Sequence, residues 1–248
     1  MQLYQLTSES DLSLFPISDI HIGAGNSRID QVEALIDIIK QHSNAKVILL
    51  GDILSIGTKH SPGRGVFDDI LDPTAQLKLA KRLLKPIRDK IVCSLTGNHE
   101  IRLSNEGFDI AEILADMLDV PYARFASVLE LQVGDCNYKV FATHGHGGGT
   151  TKSGVLNAIR KLAGICPSAD VYLRAHSHQL MAVPERNFAT IDNKIVSNDI
   201  WYVDTGSFQD YQESYAEMIN YQPTVVGSWQ IIFKANTRQI QMRPALIH

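Results

Sequence analysis

Residues of metal-binding type follow directly on five short apolar runs of this chain. The runs occupy residues 14–17, 46–50, 90–95, 138–142 and 171–174. The residues that follow them are Asp19, His21, Asp52, Asn98, His144, His176 and His178. Carboxylate, imidazole and amide oxygen are hard to intermediate metal ligands, and no thiolate is among them. The pattern therefore predicts that these side chains converge on one metal site, at the edge where buried strands end.

Each of these residues, taken alone, also fits a structural role. A lone histidine in a strand is more often a satisfied structural residue, and Gly51-Asp52 by itself is ordinary turn chemistry. The complete ordered set favours a functional role for the histidines. His146 stays open between a supporting role behind the ligands and a contact with substrate.

The elements that must position these residues begin with a strand–helix–strand unit. Residues 14–17 and 46–50 predict two strands, and Ser27 with Asp30 three residues on is typical of a helix N-terminus. Residues on one face of that helix are Val32, Leu35, Ile36 and Ile39. Such a unit implies a parallel sheet whose ligands all emerge at its carboxyl edge.

Local alternation gives an expectation for each motif. Side chains two residues apart on an extended segment share a side, so Asp19 and His21 are expected to reach the same cluster. The same reasoning applies to the pair His176 and His178. Asn98 and His99 are adjacent, so in an extended segment they are expected to point to opposite sides.

The rest of the chain predicts further helices and strands. Residues 1–13 predict an edge strand or a loosely structured start, and Asp72-Pro73 predicts a helix start. A helix beginning near Asp109 is expected to bury Ile110, Ile113, Leu114 and Met117. Residues 129–133 and 138–142 predict a hairpin, and residues 201–204 a closing strand.

Two glycine-rich segments interrupt these elements. Residues 57–72 predict a long loop, and loops of this length often bind substrate, so Lys59, His60 and Arg64 are candidate contacts. Residues 146–154 superficially resemble a phosphate-binding loop, but Thr151 stands where that motif requires glycine before Lys-Ser. We interpret this second segment as a turn followed by a helix over residues 153–162.

Composition sets the class of protein. The chain has 248 residues, 44% hydrophobic and 20% charged, which predicts a globular protein with a single domain over residues 1–248. The formal net charge of -4 offers no global attraction for nucleic acid. Three cysteines are too few for a disulfide framework. Neither a signal peptide nor an apolar run of ~18 residues is visible, so no membrane span and a cytoplasmic location are expected.

Five motifs, taken in order over residues 15–207, resemble the signature of the calcineurin-like metallophosphoesterases. They are Asp19-x-His21, Gly51-Asp52, Gly97-Asn98-His99-Glu100, His144 and His176-x-His178. The chain departs from the family at Ala175, where glycine is usual, and at Ser177, where threonine is frequent. Neither change removes a ligand. The resemblance implies an α/β fold, a two-sheet α-β-β-α sandwich with mixed sheets and a dinuclear metal site at the strand carboxyl ends.

The resemblance also implies roles for individual residues. One metal would be held by Asp19, His21, Asp52 and His178, and the other by Asp52, Asn98, His144 and His176. His99 would contact the substrate and protonate the leaving oxygen. Two divalent cations ~3.5–4 Å apart supply a metal-bound hydroxide nucleophile and neutralise the phosphoryl oxygens. We expect manganese, while iron, zinc and nickel also suit these ligands.

The predicted function is that of a phosphodiesterase. Protein phosphatases of this superfamily carry Gly-Asp-x-x-Asp-Arg-Gly, whereas residues 51–57 read Gly-Asp-Ile-Leu-Ser-Ile-Gly. The alternative is a DNA or RNA nuclease, against which the acidic balance counts. Basic residues that would have to cluster for this are Lys59, Arg64, Arg102, Arg124, Arg160 and Arg174. A non-catalytic interaction module is least favoured, because His99 and the whole ligand set are present.

Overall fold

The computed structural model describes residues 1–59, 61, 69–147, 149, 151–191, 193–212 and 214–245. Its strands are β1 Gln2–Ser8, β2 Leu12–Ile17, β3 Ala45–Leu49, β4 Ile91–Leu95, β5 Tyr122–Arg124, β6 Ala126–Val133, β7 Cys136–Thr143, β8 Val171–Arg174, β9 Leu180–Ile191, β10 Lys194–Thr205, β11 Ser228–Phe233 and β12 Ile240–Ala245. Its helices are α1 Ile29–Gln41, α2 Pro73–Leu84, α3 Asn98–Ile101, α4 Ile110–Leu118, α5 Lys152–Arg160 and α6 Tyr215–Met218.

The strands form two six-stranded mixed sheets. The first sheet has the order β1-β6-β7-β8-β10-β9, and the second has the order β12-β11-β2-β3-β4-β5. In the second sheet β2, β3, β4 and β5 are parallel, and β11 pairs antiparallel with β2. In the first sheet β7, β8 and β10 are parallel, while β6 is antiparallel to β7 and β9 to β10. The two-sheet architecture with mixed sheets is thereby confirmed.

Three hydrophobic clusters separate the layers. Leu14 and Ile48 of the second sheet pack with Leu129 and Val171 of the first, so this cluster fills the space between the sheets. Alternate residues of the second sheet face a cluster with α1, α2 and α4, and α5 covers the first sheet through a third cluster. Because β2 and β3 are covered on both faces, their sequences are almost continuously apolar.

Several predicted element boundaries are confirmed. β1 lies at the edge of the first sheet, where it pairs with β6, and β6 and β7 form the predicted hairpin. The carboxylate of Asp72 accepts a hydrogen bond from the Ala75 N–H at 2.9 Å, and Pro73 occupies the first position of α2. The predicted closing strand over residues 201–204 lies within β10.

Two helix predictions are wrong in detail. α1 begins after Arg28 without a side-chain cap, because the Ser27 hydroxyl donates to the Ile20 carbonyl at 2.6 Å instead. In α4, Ile110 and Leu114 are buried as predicted, but Ile113 is 39% exposed and Met117 is half-buried. The buried stripe of α4 instead includes Ala111, Ala115 and Leu118.

Other predictions from composition have separate outcomes. No helix in the described ranges is long and apolar enough to cross a membrane. Cys93, Cys136 and Cys166 are free thiols. The single domain over residues 1–248 and the cytoplasmic location stay predictions. His60 and Arg64 of the predicted loop lie outside the described residues, and Lys59 is exposed.

Candidate metal centre

The carboxyl ends of β2, β3, β4, β7 and β8 meet at one edge of the sandwich, and the seven predicted ligand residues lie there. Asp19, His21 and His178 form a first group. The Asp19 Oδ1 atom is 3.3 Å from His178 Nε2 and 3.8 Å from His21 Nε2. The two imidazole Nε2 atoms are 3.2 Å apart. All three ligand atoms lie within 4.8 Å of one another, which is the spacing a shared cation requires.

A second group consists of Asp52, Asn98, His144 and His176. The amide oxygen of Asn98 is 3.0 Å from His144 Nε2 and 2.7 Å from His176 Nδ1. Asp52 Oδ2 is 3.3 Å from His144 Nε2 and 3.9 Å from His21 Nε2. Asp52 therefore lies between the two groups.

The backbone that presents these residues is not an extended strand. Positive φ angles occur at Asp19 (49°), His21 (51°), Asp52 (49°), His176 (73°) and His178 (59°). The expectation of simple strand alternation at the two His-containing motifs is therefore wrong. A non-glycine residue in this region costs about 1–3 kcal/mol and persists only where its surroundings fix it. The Asp19 N–H donates to the Gly51 carbonyl at 3.1 Å, and the His21 N–H to the Asp52 carbonyl at 3.0 Å.

Two glycines allow the loops after β3 and β4 to touch. A Cβ atom at Gly51 would lie 2.3 Å from the Gly97 nitrogen. A Cβ atom at Gly97 would lie 2.1 Å from Asp52 Oδ1. Only glycine at both positions brings Asp52 and Asn98 to the same site.

Glu100 holds the loops after β3 and β4 together, a role that was not predicted from the sequence. Its buried carboxylate accepts hydrogen bonds from the backbone N–H groups of Asp52, Leu54 and Gly97, each at 2.9 Å. Burial and the charge of Asp52 raise the pKa of Glu100 to about 7. The available signal was a glutamate at the third position of a helix, reaching back to the N-terminal N–H.

His99 belongs to the short helix α3, so the expectation of an extended segment at Asn98 and His99 is wrong. The His99 N–H donates to Asp52 Oδ1 at 2.8 Å, and its Nδ1 is 3.3 Å from His21 Nδ1. Its Nδ1 is also 2.5 Å from the Ser55 carbonyl oxygen, and its Nε2 is 2.8 Å from Arg102 Nη2. These contacts fit a neutral ring that donates from Nδ1 and accepts at Nε2. Burial, with the nearby guanidinium, lowers the pKa of His99.

Residues at the other side of the site hold the histidine loops. The His146 ring is exposed and lies 6.1 Å from the His176 ring at 26°, so it borders the site, and its role stays open. Arg174 is 2% exposed, donates to the Gly147 carbonyl, and has Nη1 3.8 Å from Asp204 Oδ2. The Ser177 hydroxyl donates to the same Asp204 oxygen at 2.7 Å. No sequence motif pointed to Asp204 as part of the site.

Of the six basic residues considered for nucleic acid, Arg64 lies outside the described residues, and two of the other five are engaged elsewhere. Arg174 is buried, and Arg160 donates to Glu185. Arg102 lies near the site because it contacts His99. Arg124 lies near it because its carbonyl accepts a hydrogen bond from the Thr96 N–H.

The donor set fits divalent cations. Asp19 Oδ1 is buried and makes no hydrogen bond, although two imidazole nitrogens surround it. Burial would raise the pKa of Asp52, but the neighbouring His144 and His99 hold it well below its usual range. Burial likewise opposes charge on His144, yet Asp52 raises its pKa to about 10. The buried carboxylates thus require positive charge nearby. Divalent cations would supply that charge, and carboxylate, amide and imidazole groups are suitable ligands for them.

The chain was also compared with known proteins. The family model for calcineurin-like phosphoesterases matches residues 16–180, more than half of the 248 residues. No curated protein matches the chain. Two similar solved structures each align over 96% of this chain. They are the hypothetical protein PH1004 from Pyrococcus horikoshii OT3 (10% identity, 89% of that chain, TM-score 0.46) and GAP50, the anchor in the inner membrane complex of Plasmodium (9%, 90%, 0.49).

The matched segment contains all seven predicted ligand residues and His99, together with the five strand ends that bring them to one edge. The chain belongs to the calcineurin-like phosphoesterase family.

Proposed function

We propose that this metal-dependent phosphoesterase is a dinuclear phosphodiesterase. One cation would be held by Asp19, His21, Asp52 and His178, and the other by Asp52, Asn98, His144 and His176. The observation that supports this assignment is the position of Asp52 Oδ2, 3.3 Å from His144 Nε2 and 3.9 Å from His21 Nε2. When bound, two divalent cations supply charge for the phosphoryl oxygens and acidify a water molecule. Manganese is proposed, with iron, zinc or nickel as alternatives.

The residues of the chain have distinct tasks in this reaction. Two hydrogen bonds orient Asp52. Glu100 accepts one from the Asp52 backbone N–H, and the His99 N–H donates the other to Asp52 Oδ1. His99 is proposed to protonate the leaving oxygen. The neutral ring described above has no proton on Nε2, so this transfer requires Nε2 to take up a proton from water first, while the Nδ1–H keeps its hydrogen bond to the Ser55 carbonyl. Because Arg102 Nη2 lies 2.8 Å from His99 Nε2, the transfer also requires Arg102 to turn away, and the guanidinium geometry suits a phosphoryl oxygen.

Preference for a diester follows from residues 51–57. The carbonyls of Ser55 and Ile56 accept hydrogen bonds from Arg102 at 3.1 and 3.2 Å, and neither side chain is ionisable. The aspartate and arginine with which protein phosphatases of the superfamily hold a monoester are not in this segment. A substrate with fewer charged phosphoryl oxygens is therefore favoured.

A comparison of two esters tests the proposal. The purified protein would be supplied with manganese, and hydrolysis of bis(p-nitrophenyl) phosphate compared with that of p-nitrophenyl phosphate. We expect a higher kcat/KM for the diester, loss of activity with a chelator, and two equivalents of bound metal. A preference for the monoester would contradict the diesterase assignment. If neither ester were hydrolysed at any metal concentration, the proposal that the protein is a phosphodiesterase would be contradicted.

A further inference from the structure

An exposed aromatic ring directly follows β5 and has a cation stacked on it. Phe125 is 54% exposed, and the guanidinium carbon of Arg124 is 4.8 Å from the centre of its ring. The other cation–π contact found in the described ranges joins Arg238 to Tyr138, which is 3% exposed. Of these two rings with a stacked cation, Phe125 is the one exposed enough for a ligand to contact.

The backbone ties this pair to two of the four segments that supply the second metal group, those of Asn98 and His144. Phe125 connects β5 of one sheet to β6 of the other. The Thr96 N–H donates to the Arg124 carbonyl at 2.7 Å, and Thr96 is two residues before Asn98. The Thr143 hydroxyl donates to the Phe125 carbonyl at 3.0 Å, and Thr143 directly precedes His144. The backbone of Phe125 therefore lies at the edge of the sandwich where the site is, one hydrogen bond away from the residue that precedes His144.

Arg124 of this pair also has an anionic partner. Asp109 Oδ2 lies 3.7 Å from Arg124 Nε, and the Tyr122 hydroxyl donates to the same carboxylate at 3.0 Å. Arg124 has a φ of 59°, a conformation that a non-glycine residue adopts where its surroundings impose it. An exposed phenylalanine with this degree of support differs from an isolated apolar residue on the surface.

We propose that Phe125 and Arg124 form a stacking platform for the nucleobase of the substrate ester. This inference rests on the proposed function and names its substrate class as a nucleotide diester. Every base has a flat π face, and aromatic side chains stack on it with little regard to sequence. The guanidinium adds a cation–π contribution and a positive charge close to a phosphate.

The charge distribution bears on where such a base comes from. Of the basic residues considered above that the structure describes, Arg160 pairs with Glu185 and Arg174 is buried, whereas Arg102 and Arg124 lie near the site, and the formal net charge of the chain is -4. This favours a short nucleotide ester over a long strand. The stacking chemistry is the same for both sources, so the experiment must separate them.

A matched pair of esters tests the platform. Thymidine 5′-(p-nitrophenyl phosphate) and the corresponding ester of 1,2-dideoxyribose share the sugar phosphate and the leaving group, and only the first has a base. The quantity to measure is the ratio of their kcat/KM values, with manganese supplied. Phe125→Ala should lower this ratio about tenfold, mainly through KM, and Phe125→Trp should preserve it. Arg124→Asn, which tolerates the left-handed backbone, should lower it less.

Phe188→Ala is the matched control. Phe188 is 71% exposed and lies eight residues along β9 from Leu180, roughly 27 Å away at the rise of a strand. The ratio of the two kcat/KM values for Phe188→Ala should equal that of the wild type. An unchanged ratio in a folded Phe125→Ala protein would overturn the platform, while absence of metal-dependent hydrolysis of both esters by the wild type would overturn the proposed function itself.

Competition then identifies the source of the base. The dinucleotide TpT and a ten-nucleotide oligothymidylate would each compete with hydrolysis of the base-free ester. Equal inhibition supports a single nucleotide ester, and stronger inhibition by the longer strand that weakens steeply with salt supports a nucleic-acid strand. Inhibition by neither overturns the inference.

Discussion

At the scale of single residues, Asp52 has the position that matters most to both metal groups. We predict that Asp52→Asn loses bound metal and lowers activity by more than about 100-fold, beyond the effect usual for residues behind the ligands. The change removes charge from both proposed cations, while its Oδ1 can still accept the His99 N–H at 2.8 Å. Metal analysis and circular dichroism of the purified variant test this.

Asp89→Asn is a suitable control, because the Asp89 side chain is 90% exposed. It should bind metal as the wild type does. Two equivalents of metal in a folded Asp52→Asn protein would show that Asp52 is not the bridge.

His99 provides a prediction about the leaving group. An alkoxide needs a proton as it leaves and p-nitrophenolate needs little help, and general-acid catalysis contributes about 10²–10⁴-fold. His99→Asn should therefore lose most activity on a diester with an alkyl leaving group, and less on bis(p-nitrophenyl) phosphate. The measurement is kcat/KM for both esters with manganese supplied.

The outcomes of that experiment separate three roles of His99. Equal losses on both esters would mean that His99 acts by binding the phosphoryl group together with Arg102, whose Nη2 lies 2.8 Å from its Nε2. Loss of bound metal would make His99 a ligand. A loss confined to the alkyl ester supports proton donation.

At the scale of elements, sequence pattern predicted the strands and long helices better than the turns that present the ligands. A strand such as β2 can be recognised by a nearly continuous apolar run, and α2 by Asp72-Pro73 at its start. The left-handed residues Asp19 and His21 are set by hydrogen bonds to the loop after β3, some thirty residues away. The four-residue α3 is too short for periodicity and depends on Glu100, so local propensity could not reveal it.

The contact between the loops after β3 and β4 gives a prediction at this scale. Gly97 has a φ of -103°, which alanine can adopt, so Gly97→Ala acts through the 2.1 Å approach of its Cβ to Asp52 Oδ1. Overpacking of this kind costs about 1–3 kcal/mol, or roughly 2–12 °C in Tm for a chain of this size. We expect this loss together with weaker metal binding.

Gly164→Ala is the control for Gly97→Ala. No atom lies within 4 Å of a Cβ at Gly164, so its Tm and its metal content should match the wild type. Normal metal binding by Gly97→Ala would mean that the two loops do not fix Asp52.

At the scale of the whole molecule, the division of strands between two sheets follows from the family resemblance and not from local pattern. Strand β1 pairs with β6, so that Gln2 lies opposite Ser127, and no short-range signal encodes a pairing at that separation. The pattern of ligands after strands was nevertheless readable, because each strand end shows its own motif. The sequence thus predicted which residues meet better than it predicted how the backbone turns to let them meet.

The placement of the ligands across the sandwich gives the final prediction, that metal binding stabilises the whole fold. Asp19, Asp52 and Asn98 follow strands of the second sheet, whereas His144, His176 and His178 follow strands of the first. A cation bound by both sets joins the sheets in the folded state alone, and at 100 times its Kd it adds about 2.7 kcal/mol. This corresponds to a rise in Tm of roughly 5–11 °C. Thermal unfolding would be followed with excess manganese and with a chelator, for the wild type and for Asp52→Asn. The wild type should show the full shift and the variant a much smaller one, and a wild-type Tm that is equal under both conditions would mean that the two sheets do not share bound metal.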